Sequence, residues 1–192
     1  DVGADIVCEA RTQHLDEHFA VVRASASSAR TGTLLAWASS TYAVGAHPGM
    51  AGKKVDIQAW SQLTVASAPQ QDFRSMLALS GERDFELPFH ARLVGAVTLP
   101  AVHGGATSAA LTLAAMRTAQ RAIEPASEWE PLSVTIHFLR AVQACGLSIR
   151  PTLRKPGSRS CVVGASSFQG DAGRESVHAE CLLARAPATS HS

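Results

Sequence analysis

The chain has 192 residues, 46% of them apolar, and a formal net charge of +1 with Lys and Arg dispersed along its length. That is ample for a core in one large domain or two small ones, and it leaves no electrostatic footprint for nucleic acid or a membrane surface. The four cysteines, Cys8, Cys145, Cys161 and Cys181, lie far apart without CxxC spacing, so reduced, buried thiols in a cytoplasm are expected rather than a metal or disulfide framework.

Residues 4–13, 18–26 and 33–44 alternate apolar and polar positions and predict three strands. The chain has no initiator Met and runs almost at once into this pattern, giving the expectation that it starts partway through a larger unit. It also lacks the basic-then-apolar pattern of a signal peptide, and no apolar run approaches the roughly 20 residues that span a bilayer. Residues 46–70 carry Pro48-Gly49, Gly52 and Lys53-Lys54 before Val55, Ile57, Trp60, Leu63 and Val65; they read as a linker packed on the surface. A short helix over 70–80 and a strand over 84–94, alternating at Phe85, Leu87 and Phe89, come next.

Pro100-Ala101-Val102-His103-Gly104-Gly105 then leads into a stretch without charge up to Arg117. Residues 105–123 predict a helix that is apolar nearly all round and lined by small side chains, so a curved sheet can enclose it closely. Two glycines at its start permit close approach, and the unpaired N–H groups of the first turn favour an anion or a carbonyl oxygen. Glu124-Pro125 ends it. Strands over 132–139, 147–154, 160–168 and 175–184, separated by Gly146, Pro156-Gly157 and the turn 170–173, predict an antiparallel meander. The order is strand, helix, four strands, an α+β architecture.

The first three strands echo the last three. Gly3, Ile6 and Arg11 match Gly146, Ile149 and Arg154; with a shift of two, Gly32 and Ala38 match Gly173 and Ala179. The phrases HFAVVRASASS and SCVVGASSFQG are also alike, which points to an internal repeat.

LPFHARLVGAVTLPAVHGGATSAALTLAAM, followed by LSVTIHFLRAV, resembles the hotdog-fold thioesterases of the phenylacetate-degradation type. The resemblance implies an antiparallel sheet wrapped around a central buried helix, and a tandem double hotdog. Residues 1–45 would be the closing strands of a first, incomplete unit, 46–70 a linker, 71–187 a complete hotdog domain, and 188–192 a tail. It further implies hydrolysis of an acyl-CoA thioester at a site shared by two units. The backbone N–H of Gly104 or Gly105 would hold the oxyanion, and His103 would shape the turn.

The resemblance also calls for an Asp or Glu nine residues after the motif histidine, where Thr112 stands, and for an Asn or Gln six residues before it, where Val97 stands. A hydroxyl at Thr112 can position water but is a poor base alone. For the CoA moiety the resemblance points to Arg140, Lys155 and Arg159, with Arg11 as an equivalent in the first unit. The CoA belongs to the substrate, and no other cofactor or metal is implied. A homo-oligomer formed by sheet pairing is expected, with no nucleic-acid or membrane partner. The alternative is a catalytically impaired hotdog protein that binds acyl-CoA or serves a structural role. His90, His137 and His178 read as structural histidines. Neither a GxSxG elbow nor a basic helix-turn-helix pattern is present.

Overall fold

Short alternating segments bounded by glycine and polar turns close into antiparallel ladders, and in this chain they do so twice. The computed structural model describes residues 5–45, 75, 77–90, 93–96, 99–123, 127–170 and 173–186, and the chain divides into two units, Asp1–Lys54 and Val55–Ser192. The expected linker and most of the expected 70–80 helix lie outside the described residues.

The first unit is a three-stranded meander, β1 (Ile6–Leu15), β2 (Phe19–Ser28) and β3 (Leu34–Ala43), in the order β1-β2-β3. Its first turn is tied by Asp16, whose carboxylate accepts the N–H groups of His18 and Phe19 at 2.7 Å and lies 2.8 Å from His14 Nε2. The His14 contact, then the two N–H donors, hold that carboxyl below its usual range.

In the second unit β4 (Ser80–Gly81), β5 (Phe85–Leu87), β8 (Trp129–Phe138), β9 (Leu147–Lys155), β10 (Ser160–Gln169) and β11 (Arg174–Arg185) form one antiparallel sheet in the order β4-β5-β9-β10-β11-β8. A separate hairpin, β6 (Val94–Ala96) with β7 (Leu99–Val102), leads into helix α1 (Gly104–Ala122). The strand expected over 84–94 is therefore two pieces. Pro88, just past β5, has no N–H to give a ladder, and the chain turns until Leu93 N–H finds His90 O at 2.8 Å.

Phe85, Ile149, Ser167, Val177 and Phe138 are successive register partners across five strands. That row is about 19 Å wide at the usual strand spacing, and the 19-residue helix is about 28 Å long. The helix begins against Phe138 and ends with the Arg121 guanidinium 5.6 Å from the Phe85 ring centre. It thus runs across the sheet, and the buried side chains of Ala106, Ala110, Ala114 and Ala119 let the strands approach closely. Enclosure is not complete, since Ser108, Ala109, Thr112 and Met116 form a half-exposed stripe. This sheet around a helix is the hotdog arrangement.

Ser167 sits at a break in the β10–β11 register and repairs it. Its wholly buried hydroxyl takes the Val177 N–H at 3.1 Å and approaches Val177 O at 3.4 Å. Cys161 and Cys181 are buried as expected. Cys8 and Cys145 are exposed, contrary to expectation: Cys8 lies on a sheet exposed along its whole first strand, and Cys145 lies in a loop.

The two meanders share one register. Lowering each residue number by 141 converts the β10–β11 ladder into the β2–β3 ladder, so that Ala165↔Ala179 becomes Ala24↔Ala38 and Ser160↔Ala184 becomes Phe19↔Ala43. The break at Ser167/Phe168 falls on the break at Ala26/Ser27. The β9–β10 pairs likewise become β1–β2 pairs, and the break at Val162/Val163 falls opposite Thr12/His14. Gly32 and Gly173, equivalent in the turns, both have positive φ, 69° and 54°.

The match expected for the first strand is displaced by two residues. Cys8 occupies the place of Ile149, and Arg11 that of Thr152. A slip of two keeps every side chain on its own face, so alternation alone cannot detect it. Among the described residues no helix is long and apolar enough to cross a membrane.

Candidate active site at the helix start

His103 has extended backbone angles, φ −58° and ψ 132°, and is the N-cap of α1. Its Nδ1 accepts the Gly105 N–H at 3.0 Å, so in the neutral ring the proton sits on Nε2. The His103 carbonyl takes the N–H groups of Ala106 (3.0 Å) and Thr107 (3.1 Å). Of the first-turn donors, the Gly104 N–H is left without an acceptor among the described residues. A methyl on Gly105 would lie 3.0 Å from His103 Nδ1. Glycine there is what lets the imidazole fold back on its own helix.

The turn is held from behind. His103 N–H bonds to Leu93 O at 2.6 Å, and Val102 N–H bonds to Val142 O at 2.8 Å. On the open side stands Phe138, at the end of β8; a methyl on Gly104 would lie 3.2 Å from its ring. The free donor therefore sits at the positive end of a helix beside an apolar wall, an arrangement that stabilises negative charge on an oxygen brought to it.

The helix provides no acid to match, since none of its residues is Asp or Glu. Its hydroxyls are turned inward on the backbone: Ser108 donates to Gly104 O (2.8 Å), Thr112 to Ser108 O (2.9 Å) and Thr118 to Ala114 O (2.9 Å). Thr112 also meets the Cys181 thiol, which burial pushes up to about 11, against the lowering effect of the Thr112 hydroxyl. A thiol so placed is protonated at neutral pH and is no nucleophile. Val97 lies outside the described residues.

The sheet separates the three basic residues singled out in the sequence. Arg140 follows Phe138 by two residues, and its N–H bonds to Ser176 O at 3.0 Å. Lys155 and Arg159 flank the β9–β10 turn, where Arg159 O accepts the Arg185 N–H at 2.9 Å. That is the opposite end of the strands, about 25 Å away along β9. Arg140 instead lines a groove of about 300 Å³ with Gln143, Gln169, Arg174 and Ser176. Arg174 escaped sequence reasoning because it follows a glycine-rich turn, and only the cross-strand register carries it to Arg140. In the first unit Arg11 lines a cleft of about 410 Å³ with Glu9, Arg23 and Trp37.

His178 lies 2.9 Å from Ser166 Oγ and 3.3 Å from Glu175 Oε1, both measured from Nδ1. A Ser-His-acid relay needs its two partners on different ring nitrogens, so this cluster is not one. His137 pairs with His178 across the strands, with ring centres 6.4 Å apart, and His90 is exposed. No group of three potential metal ligands occurs among the described residues.

Residues 95–187 match the family model of the acyl-CoA thioesterase N-terminal domain. No curated protein matches the chain. Among solved structures, the chain is similar to a thioesterase from Haemophilus influenzae, with a TM-score of 0.55 and 16% identity over 64% of this chain and 87% of that one. It is similar to a phenylacetic acid degradation-related protein from Ralstonia eutropha, with a TM-score of 0.52 and 20% identity over 62% and 93%. A Bacillus halodurans protein solved with CoA gives a TM-score of 0.52 and 16% identity over 57% and 72%. These likenesses establish the hotdog fold.

Proposed function

We propose that the protein hydrolyses acyl-CoA thioesters at a site shared by two hotdog units. The observation that carries this reading is the Gly104 N–H, left open at the helix start while His103 caps Gly105. A thioester carbonyl set against Gly104 and the Phe138 ring places its oxygen at that donor. Water adds to the carbonyl carbon, the oxyanion is held by the N–H, and collapse breaks the C–S bond to give the carboxylic acid and the CoA thiol. The family model and the CoA-bound neighbour support this reading.

Because α1 carries no carboxylate, the base that activates water comes from the first hotdog unit. The shared register of the two meanders supports a tandem double hotdog in which residues 5–45 close the first unit. β8, an edge strand of the sheet, offers a place for copies of the chain to pair in a homo-oligomer. Its Leu132 and Phe138 are exposed.

The second reading, a catalytically impaired acyl-CoA binder, rests on Thr112, whose hydroxyl is bonded within the helix where the resemblance calls for an acid. Thiol release from acyl-CoAs of graded chain length, including an aromatic one, decides between them. Turnover that falls when Gly104 is altered supports hydrolysis. Tight acyl-CoA binding without turnover supports the impaired binder.

A further inference from the structure

We propose that the cleft on the first meander, between Glu9, Arg11, Arg23 and Trp37, binds a free α-amino acid with a flat apolar side chain. This site is separate from the helix start and does not depend on the thioesterase reading.

Register fixes the plan of the cleft. Glu9, Ser25 and Trp37 are successive partners in one row across β1, β2 and β3, and Arg11, Arg23 and Ser39 form the next row. At the usual strand spacing Glu9 and Trp37 stand about 10 Å apart over the small Ser25, and the two arginines lie about 7 Å further along the strands. Leu34, in the row on the other side, closes the opposite end. The volume, about 410 Å³, suits a small molecule.

The polar groups of the cleft are unpaired. Among the described residues neither the Glu9 carboxylate nor the Arg11 and Arg23 guanidiniums has an ion-pair partner, and the Ser25 hydroxyl has no hydrogen bond. Arg11 and Arg23 face each other directly across adjacent strands, a placement that costs stability unless an anion lies between them. The Arg23 guanidinium is 5.9 Å from the Trp37 ring centre, which sets positive charge beside the indole. Trp37 and Leu34 are 66% and 57% exposed, so an apolar wall stands open next to the charges.

The fold does not impose this arrangement, as the second meander shows. At the equivalent places stand Arg150, Thr152, Gly164, Glu175 and His178, and of the cleft only the floor serine is kept, as Ser166. There the space is taken up internally. His178 Nδ1 lies 2.9 Å from Ser166 Oγ, the Arg154 side chain lies against Gly164, and the Arg150 guanidinium is 4.6 Å from the Phe168 ring centre. The cleft residues also alternate with Cys8, Thr12, Val22 and Ala36, which are equivalent to the residues that pack α1. They therefore occupy the face that a hotdog helix leaves open.

The ligand's chemistry follows from this plan. Glu9 and Arg11 are neighbours on one face of β1, so an ammonium and a carboxylate carried on one carbon can meet both. The carboxylate takes paired N–H donors from Arg11 and Arg23, and Glu9 and the Ser25 hydroxyl accept the ammonium. The side chain then crosses Ser25 toward Trp37 and Leu34, where an aromatic ring stacks on the indole. A plain anion would lie beside the Glu9 carboxylate and a plain cation beside two guanidiniums, whereas a zwitterion matches both signs.

The test uses the full chain, titrated calorimetrically with L-phenylalanine and with three probes that each lack one feature: L-alanine, 3-phenylpropionate and phenethylamine. We expect one L-phenylalanine per chain, a change in tryptophan emission on binding, and each probe weaker by about tenfold or more. R11A, R23A and E9Q should each weaken L-phenylalanine about ten- to hundredfold. W37A should weaken it about tenfold, with W37F restoring most of the affinity but not the emission change. E9Q should bind 3-phenylpropionate more tightly than the native protein does, a gain that lost packing cannot produce. The four substituted positions are exposed, and an unchanged Tm shows that each variant is folded. R83A, on an exposed arginine of the β4–β5 turn, should bind as the native protein does. Absence of L-phenylalanine binding, binding indifferent to R11A and E9Q, or 3-phenylpropionate bound as tightly as the amino acid overturns the proposal. Displacement of L-phenylalanine by CoA also overturns it.

Discussion

Replacing Gly104 by proline removes the one N–H that the site offers and nothing else of the helix start. Gly104 is the first helical residue, whose N–H has no partner within α1. Proline is favoured at that position because its ring matches helical φ. The residue before a proline must be extended, and His103 already is, at φ −58° and ψ 132°. The Cβ it adds lies 3.2 Å from the Phe138 ring, which is 56% exposed and can yield. Stiffening the unfolded chain contributes about 0.4–1 kcal/mol of stability, which offsets that displacement, so Tm should move by no more than about 4 °C. Loss of an oxyanion donor costs about 10²- to 10³-fold in kcat, or roughly 2.7–4 kcal/mol in the transition state. G104A places the same Cβ against Phe138 and keeps the N–H, so the ratio of the two variants isolates the donor. The assay is thiol release from an acyl-CoA that the native protein hydrolyses, with Tm measured alongside. If G104P and G104A turn over equally, with Tm intact, the Gly104 N–H is not the oxyanion donor.

His103→Ala removes the helix cap and should cost about 1 kcal/mol, seen as a drop of about 2–4 °C in Tm, with the short acceptor of H103N restoring it. Thr112→Val deletes a hydroxyl already bonded to Ser108 O; kcat should fall by far less than the roughly 10²-fold of a lost acid–base group, and a fall that large would give Thr112 a role in the chemistry. Native protein should release two equivalents in a titration with Ellman's reagent, from the exposed Cys8 and Cys145, and four after denaturation; rapid native modification of all four would contradict the packing of Cys161 and Cys181. Burial pushes the Cys181 thiol from its ordinary 9.0 up to about 11, so between these values the native state binds the extra proton. Stability should therefore fall as pH rises from about 9 through 11, and denaturant midpoints measured across that range should show a shallower fall in C181A.

Alternation and turn residues were enough to place the seven long strands and the helix within a few residues, because each buries one face and announces it by period. Two things were not legible. Pro88 breaks the 84–94 pattern even though Phe85, Leu87 and Phe89 keep its alternation, since period reports side-chain burial and says nothing of a missing backbone donor. The slip of two in the first-strand match is invisible for the same reason of parity. At the site, His103, Gly104 and Gly105 stood out by residue type. Which N–H stays open did not, because it depends on whether the imidazole folds forward or back. Phe138, Gln169 and Arg174 reach the site only through cross-strand register, which composition does not encode.

The common register of the two meanders bears on how the protein divides its labour. Strand pairing, including both register breaks, is held fixed between the copies, while the side chains on it have diverged. The face that packs α1 in the second unit carries Ile149, Leu153, Val163, Val177 and Leu183. Their equivalents are Cys8, Thr12, Val22, Ala36 and Tyr42, and the paired arginine and glutamine of the groove become Thr33 and Ser28. Ladder hydrogen bonds are indifferent to side chains as long as alternation is kept, so a duplicated sheet can hold its geometry while its faces change. Under the proposed reading the second copy contributes the oxyanion donor. The first copy is then free of that duty, and the side chains on its frame are free to diverge while the ladder keeps its register.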